Sequence, residues 1–562
     1  MPNYTPQNPP DNSAHNQVCT TDYISVADSK KIYFDNSSYK LLVNYYNAQK
    51  TYQTYFGYIT TSDSYMLDTQ YAYCVLELKK SDDSAFTDAE VIAVTGTVYY
   101  EKAIDTDIIR HAELQNVVDD INEEISQITV KRELQPSILP TLPISVYKIG
   151  SGYECDLPYS DLSEFAKVYV DSVNGDDTAT GTASQPVKTL NRAIYLAQKQ
   201  MYDNGKKVII EIADNSVFYY DDYPISQSFT KSCIIRAENN AIVFAGKKPI
   251  FTVSGDYYVS EALTSYTIIG CVDTSETDDY GIFKTMTAVS SVDDVGVNEN
   301  SYYIDSANKI VYVNPASSIN DIVVIFSDNY ALKAGAYSFT ESSFLMYENI
   351  HFVGNCTATA RASSTVGETI IRTVYMKKCI FEHSFTNNCV SFNDFENTYL
   401  INCVAGYAKL DCFNYHYQKK PTPTNALVVE VNCIAKEAGY YNANDGSDNL
   451  STCHDEANIL RCGCHGYNGN GSMCVDADGC YSVCVDCTYV NTSYNRPSGA
   501  NRSAFEFYNS AGQRNGKAMM QNCFGYDTRN NKLVKAVDLI LSGVNAGGSI
   551  DATNITVAKE VL

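Results

Sequence analysis

Apolar and polar residues alternate along most of this chain in runs one strand long, and two stretches carry helical spacing instead. From residue 20 to 104 the runs include Ile32-Tyr33-Phe34, Tyr39 to Tyr46, Tyr71 to Leu78 and Val91 to Tyr100, split by Asp, Ser and Asn turns. They predict four or more strands in a small β-sandwich-like domain. Residues 1–19 ahead of them are polar and Pro-rich, the composition of a flexible arm. Over residues 105–135 the period changes: Leu114, Val118, Ile121, Ile125 and Ile128 stand 4, 3, 4 and 3 residues apart. Asp119, Asp120, Asn122, Glu123 and Glu124 cover the other faces. Ile at both core positions of such a seam favours three strands, so this stretch is expected to be a short coiled-coil neck that makes a homotrimer. The alternative is a helix packed on a neighbouring domain. Pro136, Pro140 and Pro143 then open a Pro-containing linker, expected over residues 136–164.

Beyond residue 165 the strand-long words repeat. Cys379, Cys403, Cys433, Cys462, Cys487 and Cys523 each stand second in one: Lys378-Cys379-Ile380-Phe381, Asn402-Cys403-Val404-Ala405, Asn432-Cys433-Ile434-Ala435, and their like. Asn349-Ile350-His351-Phe352 is the same word with Ile for Cys, and from Ile350 onward the intervals are 29, 24, 30, 29, 25 and 36 residues. A repeat of that length with no helix per unit predicts a parallel β-helix, in which equivalent side chains stack in files along the axis. The fold class expected is mainly β: a right-handed parallel β-helix over residues 165–530, preceded by the small N-terminal β-domain and the neck. A capping helix is expected at 189–201, where Leu190, Ala193, Ile194, Ala197 and Met201 share one face. Residues 256–340 break the rhythm and read as an insertion containing a hairpin, Tyr302 to Asp305 with Lys309 to Val313; residues 531–562 read as a closing segment.

Net charge is −25, which disfavours nucleic acid and anionic lipid as partners, and no run approaches 18 apolar residues, so no membrane insertion is expected. The first residues lack the basic and apolar regions of an export signal. With 19 cysteines, 14 of them beyond residue 350, the expectation is buried reduced thiols serving as small hydrophobes. Zinc is the sharper alternative, from the ligand-like spacing of Cys462, Cys464 and His465 and of Cys484 and Cys487. No metal or other cofactor is assigned, with Ca²⁺ kept as an alternative. Trp is absent and Tyr numbers 46, so any sugar-stacking platform is built from tyrosine.

The stretch Val168-Tyr169-Val170-Asp171, Asn174-Gly175-Asp176-Asp177 and Gln185-Pro186-Val187-Lys188-Thr189, running into Ala193-Ile194, resembles the opening signature of pectin-lyase-like right-handed β-helix proteins. With the N-terminal β-domain and the neck, the layout resembles a bacteriophage tailspike or tail fibre. That resemblance implies a trimeric virion tail appendage, assembled in the host cytoplasm, attached to phage tail or baseplate proteins through its N-terminal domain, and adsorbing to a host surface polysaccharide. The same architecture also serves polysaccharide depolymerases (glycoside hydrolases more than lyases) and bacterial adhesins, and the missing export signal disfavours the adhesin.

Candidate chemistry concentrates between residues 405 and 490. Asp411, Asp445 and Asp478 lie 34 and 33 residues apart, about one coil, in comparable turn words, and His454 stands among them; these are the catalytic candidates. Glycoside cleavage needs two carboxyl groups about 5–5.5 Å apart for retention or 6.5–9.5 Å for inversion. Neighbouring coils about 4.8 Å apart bring such pairs within range. His416, Asp448, Asp455, Asp476, Tyr415, Tyr417, Tyr441 and Tyr467 are the expected substrate-binding residues. The plainer alternative is that Asp, Asn and Gly are simply the residues that tight turns require.

Overall fold

The computed structural model describes residues 18–557 except 20–23, 27–28, 35–38, 60–61, 69, 82–97, 103–131, 151, 160, 223–226, 327–329, 337, 340, 361–369, 419–425, 443–446, 492–501, 510–513 and 528–531. The chain divides into two compact units, residues 1–128 and 129–562. The expected neck seam, Leu114, Val118, Ile121, Ile125 and Ile128, lies outside the described residues.

In the first unit the alternation of Tyr39 to Tyr46 builds the centre of an antiparallel sheet. Strand Tyr39–Tyr46 pairs with Tyr73–Lys80 on one side and Tyr52–Ile59 on the other, and Val18–Cys19 and Ile24–Ser25 pair on Tyr73–Lys80. Residues 41–46 and 74–76 are all buried, so these two strands are covered on both faces. A second sheet orders Ser62–Met66, Ser29–Phe34 and Val98–Lys102, also antiparallel.

The second unit is a right-handed parallel β-helix whose coils share one 28-stranded sheet, wound into three walls. Wall A stacks, among others, Ala166–Val170, Val208–Ile212, Arg372–Lys377, Asn397–Ile401, Leu427–Val431, Asn458–Cys462, Tyr481–Val485 and Lys517–Gln521. Wall B stacks Ile380–Ser384, Val404–Ala408, Ile434–Ala438, His465–Gly469 and Thr488–Asn491. Wall C stacks Cys356–Thr359, Val390–Asn393, Phe413–His416, Ser451–Cys453, Cys474–Asp476 and Phe505–Phe507. Strands Lys532–Ser542 and Ser549–Val557 continue the parallel stack, so the described part of residues 531–562 is further coil.

The repeating word is the corner between walls A and B. Asn349, Lys378, Asn402, Asn432, Gly463, Asp486 and Asn522 all have φ between +50° and +61°, the left-handed region where Gly, Asn and Asp are least penalised. Their amides tie coil to coil: Asn432 donates to Asn402 Oδ1 (3.0 Å) and Asn522 to Asp486 Oδ1 (3.1 Å). The residue after each corner points inward, giving a file of Ile350, Cys379, Cys403, Cys433, Cys464, Cys487 and Cys523, all fully buried. Burial pushes the Cys379, Cys433, Cys464 and Cys487 thiols well up, as expected of inert packing groups.

One member differs from the sequence reading. Cys464, not Cys462, stands in the file. Arg461-Cys462-Gly463-Cys464 offers two strand-compatible frames two residues apart, and the pairing Val431 with Cys462 and Ile434 with His465 selects the one that puts Gly463 at the corner. Cys462 therefore packs on the outside of wall A and Cys464 in the lumen. Two thiols on opposite sides of a sheet do not share a metal.

Both outer surfaces beside this corner are covered. Residues 136–164 carry a hairpin, Val146–Ile149 with Gly152–Cys155, and Leu134, Leu139, Val146 and Tyr153 pack on Ile209, Met346, Tyr399, Leu427, Val429 and Leu460 of wall A. Wall A is thus apolar on both faces, which is why Leu427-Val428-Val429 reads as an unbroken apolar run. Strands between Gly246 and Phe326 form two further sheets outside the coil, and the hairpin Ser301–Asp305 with Ile310–Asn314 lies within them. They dock on wall B: Lys436 Nζ pairs with Asp278 (2.6 Å), and Gly270 leaves room for the Phe385 ring, which a Cβ there would meet at 2.3 Å.

The helix Leu190–Asn204 is capped by Thr189, whose hydroxyl accepts from Arg192 N (3.1 Å), and by Gly205 at φ +62°. Its face of Leu190, Ala193, Ile194, Ala197 and Met201 is buried in the first coils. Asp177 Oδ1 accepts from the Lys188 and Thr189 amides (2.9 and 2.8 Å), joining the two halves of the opening signature. Gly175 is required there, since a Cβ would sit 2.2 Å from Val187 O.

Candidate functional site

At the turn that leaves wall C, two histidines and two aspartates from adjacent coils stand together. Strand Phe413–His416 pairs with Ser451–Cys453 so that His416 lies over His454, and their rings stack 4.5 Å apart at 9°. Asp455 (φ +63°) and Asp478 (φ +59°) take the left-handed turn positions, which Asp tolerates because its side chain replaces backbone partners locally. His416 Nδ1 donates to Asp455 Oδ2 (3.1 Å), and His454 Nδ1 faces Asp478 Oδ2 at 3.6 Å. Thr452 Oγ1 lies 3.0 Å from His454 Nε2, and Tyr417 N donates to Asp455 Oδ2 (3.2 Å). The four side chains keep 22–30 % exposure, so they are positioned by the fold and still open to solvent.

Electrostatics sorts their protonation. Burial alone would raise Asp455, but the hydrogen bond and charge of His416, the charge of His454 and the Tyr417 amide hold its carboxyl below the usual range. Burial, then the neighbouring His416, lowers His454 against the pull of Asp478, Asp455 and Asp476. Near neutral pH the corner presents an ionised carboxylate and a neutral imidazole. That suits hydrogen bonding to hydroxyl groups. A glycosidic general acid needs the opposite shift, a raised carboxyl pKa, and Asp455 does not have it.

The structure brings together His416, His454, Asp455 and Asp478 of the residues singled out by sequence, and it separates the others. Asp411 braces a turn between walls B and C, accepting from Asn449 N (2.7 Å) and Asn414 Nδ2 (2.8 Å). Asp445 lies outside the described residues. Asp448 is buried in the same turn region, where its carbonyl accepts from Gly471 N (2.7 Å).

Asp476 and Tyr415 are not surface groups, because their strands turn these positions into the lumen. Asp476 takes both terminal nitrogens of Arg461 (2.7 and 2.8 Å), and Tyr415 donates to Glu430 Oε1 (2.8 Å) while stacking on Phe392. Tyr417 is 6 % exposed and packs in the core. Tyr441 and Tyr467 stand on wall B under the added sheets: Tyr441 Oη lies 2.7 Å from His383 Nδ1, and Tyr467 stacks on Tyr280. The expected tyrosine platform is therefore absent from this corner among the described residues. Tyr508 is instead the exposed aromatic whose phenol feels the charge of Asp478, a residue the sequence reading passed over.

Sequence reading also missed two buried polar clusters. One is Glu430, Ser451, Arg461 and Asp476 in the lumen; its signal was a single charge inside each apolar word, Val429-Glu430-Val431 and Leu460-Arg461-Cys462. The other is His351, Glu382 and His383, where Glu382 Oε2 accepts from Phe283 N (2.8 Å) and His383 Nε2 donates to Phe283 O (3.0 Å). Among the described residues no group of three or more His, Cys, Asp or Glu is arranged to hold a metal ion.

No protein-family model matches the chain, and no curated protein matches it. Solved structures similar to it include a glycoside hydrolase (8 % identity, 69 % of this chain and 96 % of that one, TM-score 0.37). A GH136 lacto-N-biosidase from Eubacterium ramulus is another (12 % identity, 70 % and 67 %, TM-score 0.33). So is a tailspike protein of Acinetobacter baumannii bacteriophage Fri1, a capsular polysaccharide depolymerase (10 % identity, 76 % and 69 %, TM-score 0.26). These likenesses are distant, and the functional reading rests on this chain's own residues.

Proposed function

We propose that this chain is a bacteriophage tail appendage of the pectin-lyase-like β-helix type, and that it binds a host surface glycan at the corner formed by His416, His454, Asp455 and Asp478. The observation that carries the binding site is the pair of imidazole–carboxylate contacts stacked one coil apart and open to solvent. Fixed donors and acceptors repeating at about the coil spacing match hydroxyls along an extended saccharide, and the rigid stack supplies them already positioned. In this reading residues 20–104 attach to the phage tail and residues 105–135 assemble three copies, placing the protein in the virion tail.

Cleavage is the second reading, favoured by Asp455 and Asp478 standing on adjacent coils; the depressed pKa of Asp455 weighs against it. The test is size-exclusion of surface polysaccharides from candidate hosts, incubated with the purified protein and with Asp455→Asn/His454→Ala. Binding is expected to weaken at least tenfold in the variant, with far-UV circular dichroism unchanged and no chain shortening by either protein. Equal binding by the variant, or no binding to any such polysaccharide, overturns the assignment. Released reducing ends, lost in Asp455→Asn, would establish the depolymerase instead.

A further inference from the structure

The two added sheets lie one on the other. The inner one, built on Ile268–Thr277 and Ile322–Phe326, sends Val272, Val323 and Ile325 into the β-helix core. Cys271, Ile322 and Val324 on its other face meet Tyr302, Val311 and Val313 of the outer sheet. That outer sheet orders Phe251–Ser254, Tyr257–Ser260, Ile310–Asn314, Ser301–Asp305 and Thr287–Ala288. Its second face points away from the β-helix.

Strand alternation assigns the two faces. Tyr302, Val311 and Val313 point inward and are buried. Tyr257, Val259, Tyr303, Ile310 and Tyr312 point outward and are half-buried, and Thr252 beside Val259 is exposed. An antiparallel sheet with one solvated face ordinarily carries polar residues there. This one carries three tyrosines, Ile and Val, in a chain of net charge −25. Where wall A is likewise apolar on both faces, the Val146 hairpin covers it. Here the short helix Val292–Val297 lies against one end: Asn314 Nδ2 donates to Val295 O (3.1 Å), and a Cβ on Gly296 would stand 3.7 Å from the Tyr257 ring. The charges at the ends of the face are already taken. Asp305 accepts from Ala307 N and Asn308 N of its own turn (3.1 and 3.0 Å), and Glu261 pairs with Lys247 (3.1 Å).

The three tyrosines form a row across three strands. Tyr303 and Tyr312 are direct cross-strand partners with ring centroids 6.1 Å apart, and Tyr257 follows 5.8 Å from Tyr312. Tilts of 37° and 72° keep the rings from lying face on face, so they do not hide one another as parallel stacks would. Each step is close to the advance of one pyranose unit along an oligosaccharide.

We propose that this outer face is a second saccharide site, taking a neutral hexose oligosaccharide with one sugar unit per ring along Tyr303, Tyr312 and Tyr257. The C–H faces of the sugars pack on the phenol rings, and the phenol hydroxyls and Thr252 meet sugar hydroxyls at the rim. The uncharged face selects neutral units over uronate or phosphorylated ones. A partner protein needs more room. Four strand spacings by five residue rises give roughly 19 by 17 Å, about 300 Å², against the roughly 800 Å² per partner that a specific protein interface buries. The site stands on residues apart from the His416–Asp455 corner, so either assignment survives the failure of the other.

The test is calorimetric titration of the purified protein with maltohexaose, cellohexaose, laminarihexaose and, as the charged control, hexagalacturonate. Tyr312→Leu and Tyr303→Leu remove the aromatic faces and keep apolar bulk, so the sheet stays folded. The expected result is binding of at least one neutral hexasaccharide, at least tenfold tighter than hexagalacturonate and at least tenfold weaker in both variants, with unchanged far-UV circular dichroism. Failure of all three neutral sugars to bind overturns the proposal, and so does equal binding by the two variants. Loss of the binding in Asp455→Asn/His454→Ala, with both tyrosine variants binding as the parent does, assigns the sugar to the corner and overturns this site alone. A lower sedimentation coefficient for Tyr312→Leu makes the face a contact between copies of the chain and overturns it too.

Discussion

Replacing Arg461 by Met tests how the lumen tolerates charge. The guanidinium is fully buried, forks onto Asp476 at 2.7 and 2.8 Å, donates from Nε to Ser451 Oγ (2.9 Å) and lies 3.5 Å from Glu430 Oε2. Burial works against its charge, but the Asp476 and Glu430 carboxylates outweigh that and keep it protonated. Arg461→Met leaves two carboxylates facing each other in a dry interior, and breaking a buried pair this way costs about 3–5 kcal/mol. Asp476→Asn is the milder change. It leaves Arg461 opposite Glu430 with an amide oxygen still accepting, and the loss expected is about 1.5–3 kcal/mol, the worth of hydrogen bonds to a charged group.

The two variants also differ in pH dependence. In Arg461→Met two buried carboxylates face each other with no counter-charge, and taking up a proton relieves that repulsion, so the folded state of the variant is favoured by lower pH. The deficit against the parent is therefore largest at pH 7 and shrinks towards pH 5, while that of Asp476→Asn changes little. Urea unfolding followed by far-UV circular dichroism at both pH values measures this; tyrosine fluorescence serves as a second probe, since the chain has no tryptophan. Equal losses in the two variants, or an Arg461→Met deficit that does not move with pH, would refute the account of the network.

Cys403→Ser places a hydroxyl in the thiol file beside Cys379 and Cys433, and a loss of about 1–3 kcal/mol is expected from thermal or urea unfolding; an unchanged midpoint would mean the file tolerates polarity. His454 should titrate below 6.5 in a histidine NMR series, and His416→Gln should raise its midpoint by removing a neighbouring charge. Because the fold disfavours protonated His454, its contribution is present above the unfolded pKa near 6.5 and is lost as pH falls below it; a midpoint above 6.5 contradicts that. Ile121→Asp with Ile125→Asp should convert the proposed trimer to monomer in sedimentation, and an intact trimer removes the neck assignment.

The β-helix was legible because its corners repeat one local demand, a left-handed residue followed by a small inward one, and Asn-Cys words state that demand in sequence. The capping helix was legible for the same kind of reason: its apolar face, its N-cap and its C-terminal glycine are all local. The neighbourhood of His416, His454, Asp455 and Asp478 was partly legible, since coil spacing brings residues about one repeat apart into one file. Tyr415 and Asp476 were misread because facing depends on strand register, and a shift of one residue exchanges lumen for surface. Cys462 was misassigned because Arg461-Cys462-Gly463-Cys464 holds two frames two residues apart, and the one the fold selects puts Gly463 at the corner and leaves Cys462 on the outside of wall A.

Sequence by itself determined what nearest neighbours along the chain enforce: strand-long words, corner residues, the capped helix and the acidic character. Only the tertiary structure decided which outer surfaces are covered, since the hairpin on wall A and the sheets on wall B meet their partners across hundreds of residues. It alone joined His351, Glu382 and His383 of wall B to Phe283 of the added sheets. Contacts between distant segments depend on how many residues each coil contains, and the variable loops encode that number in length, with no recurring residue pattern to read.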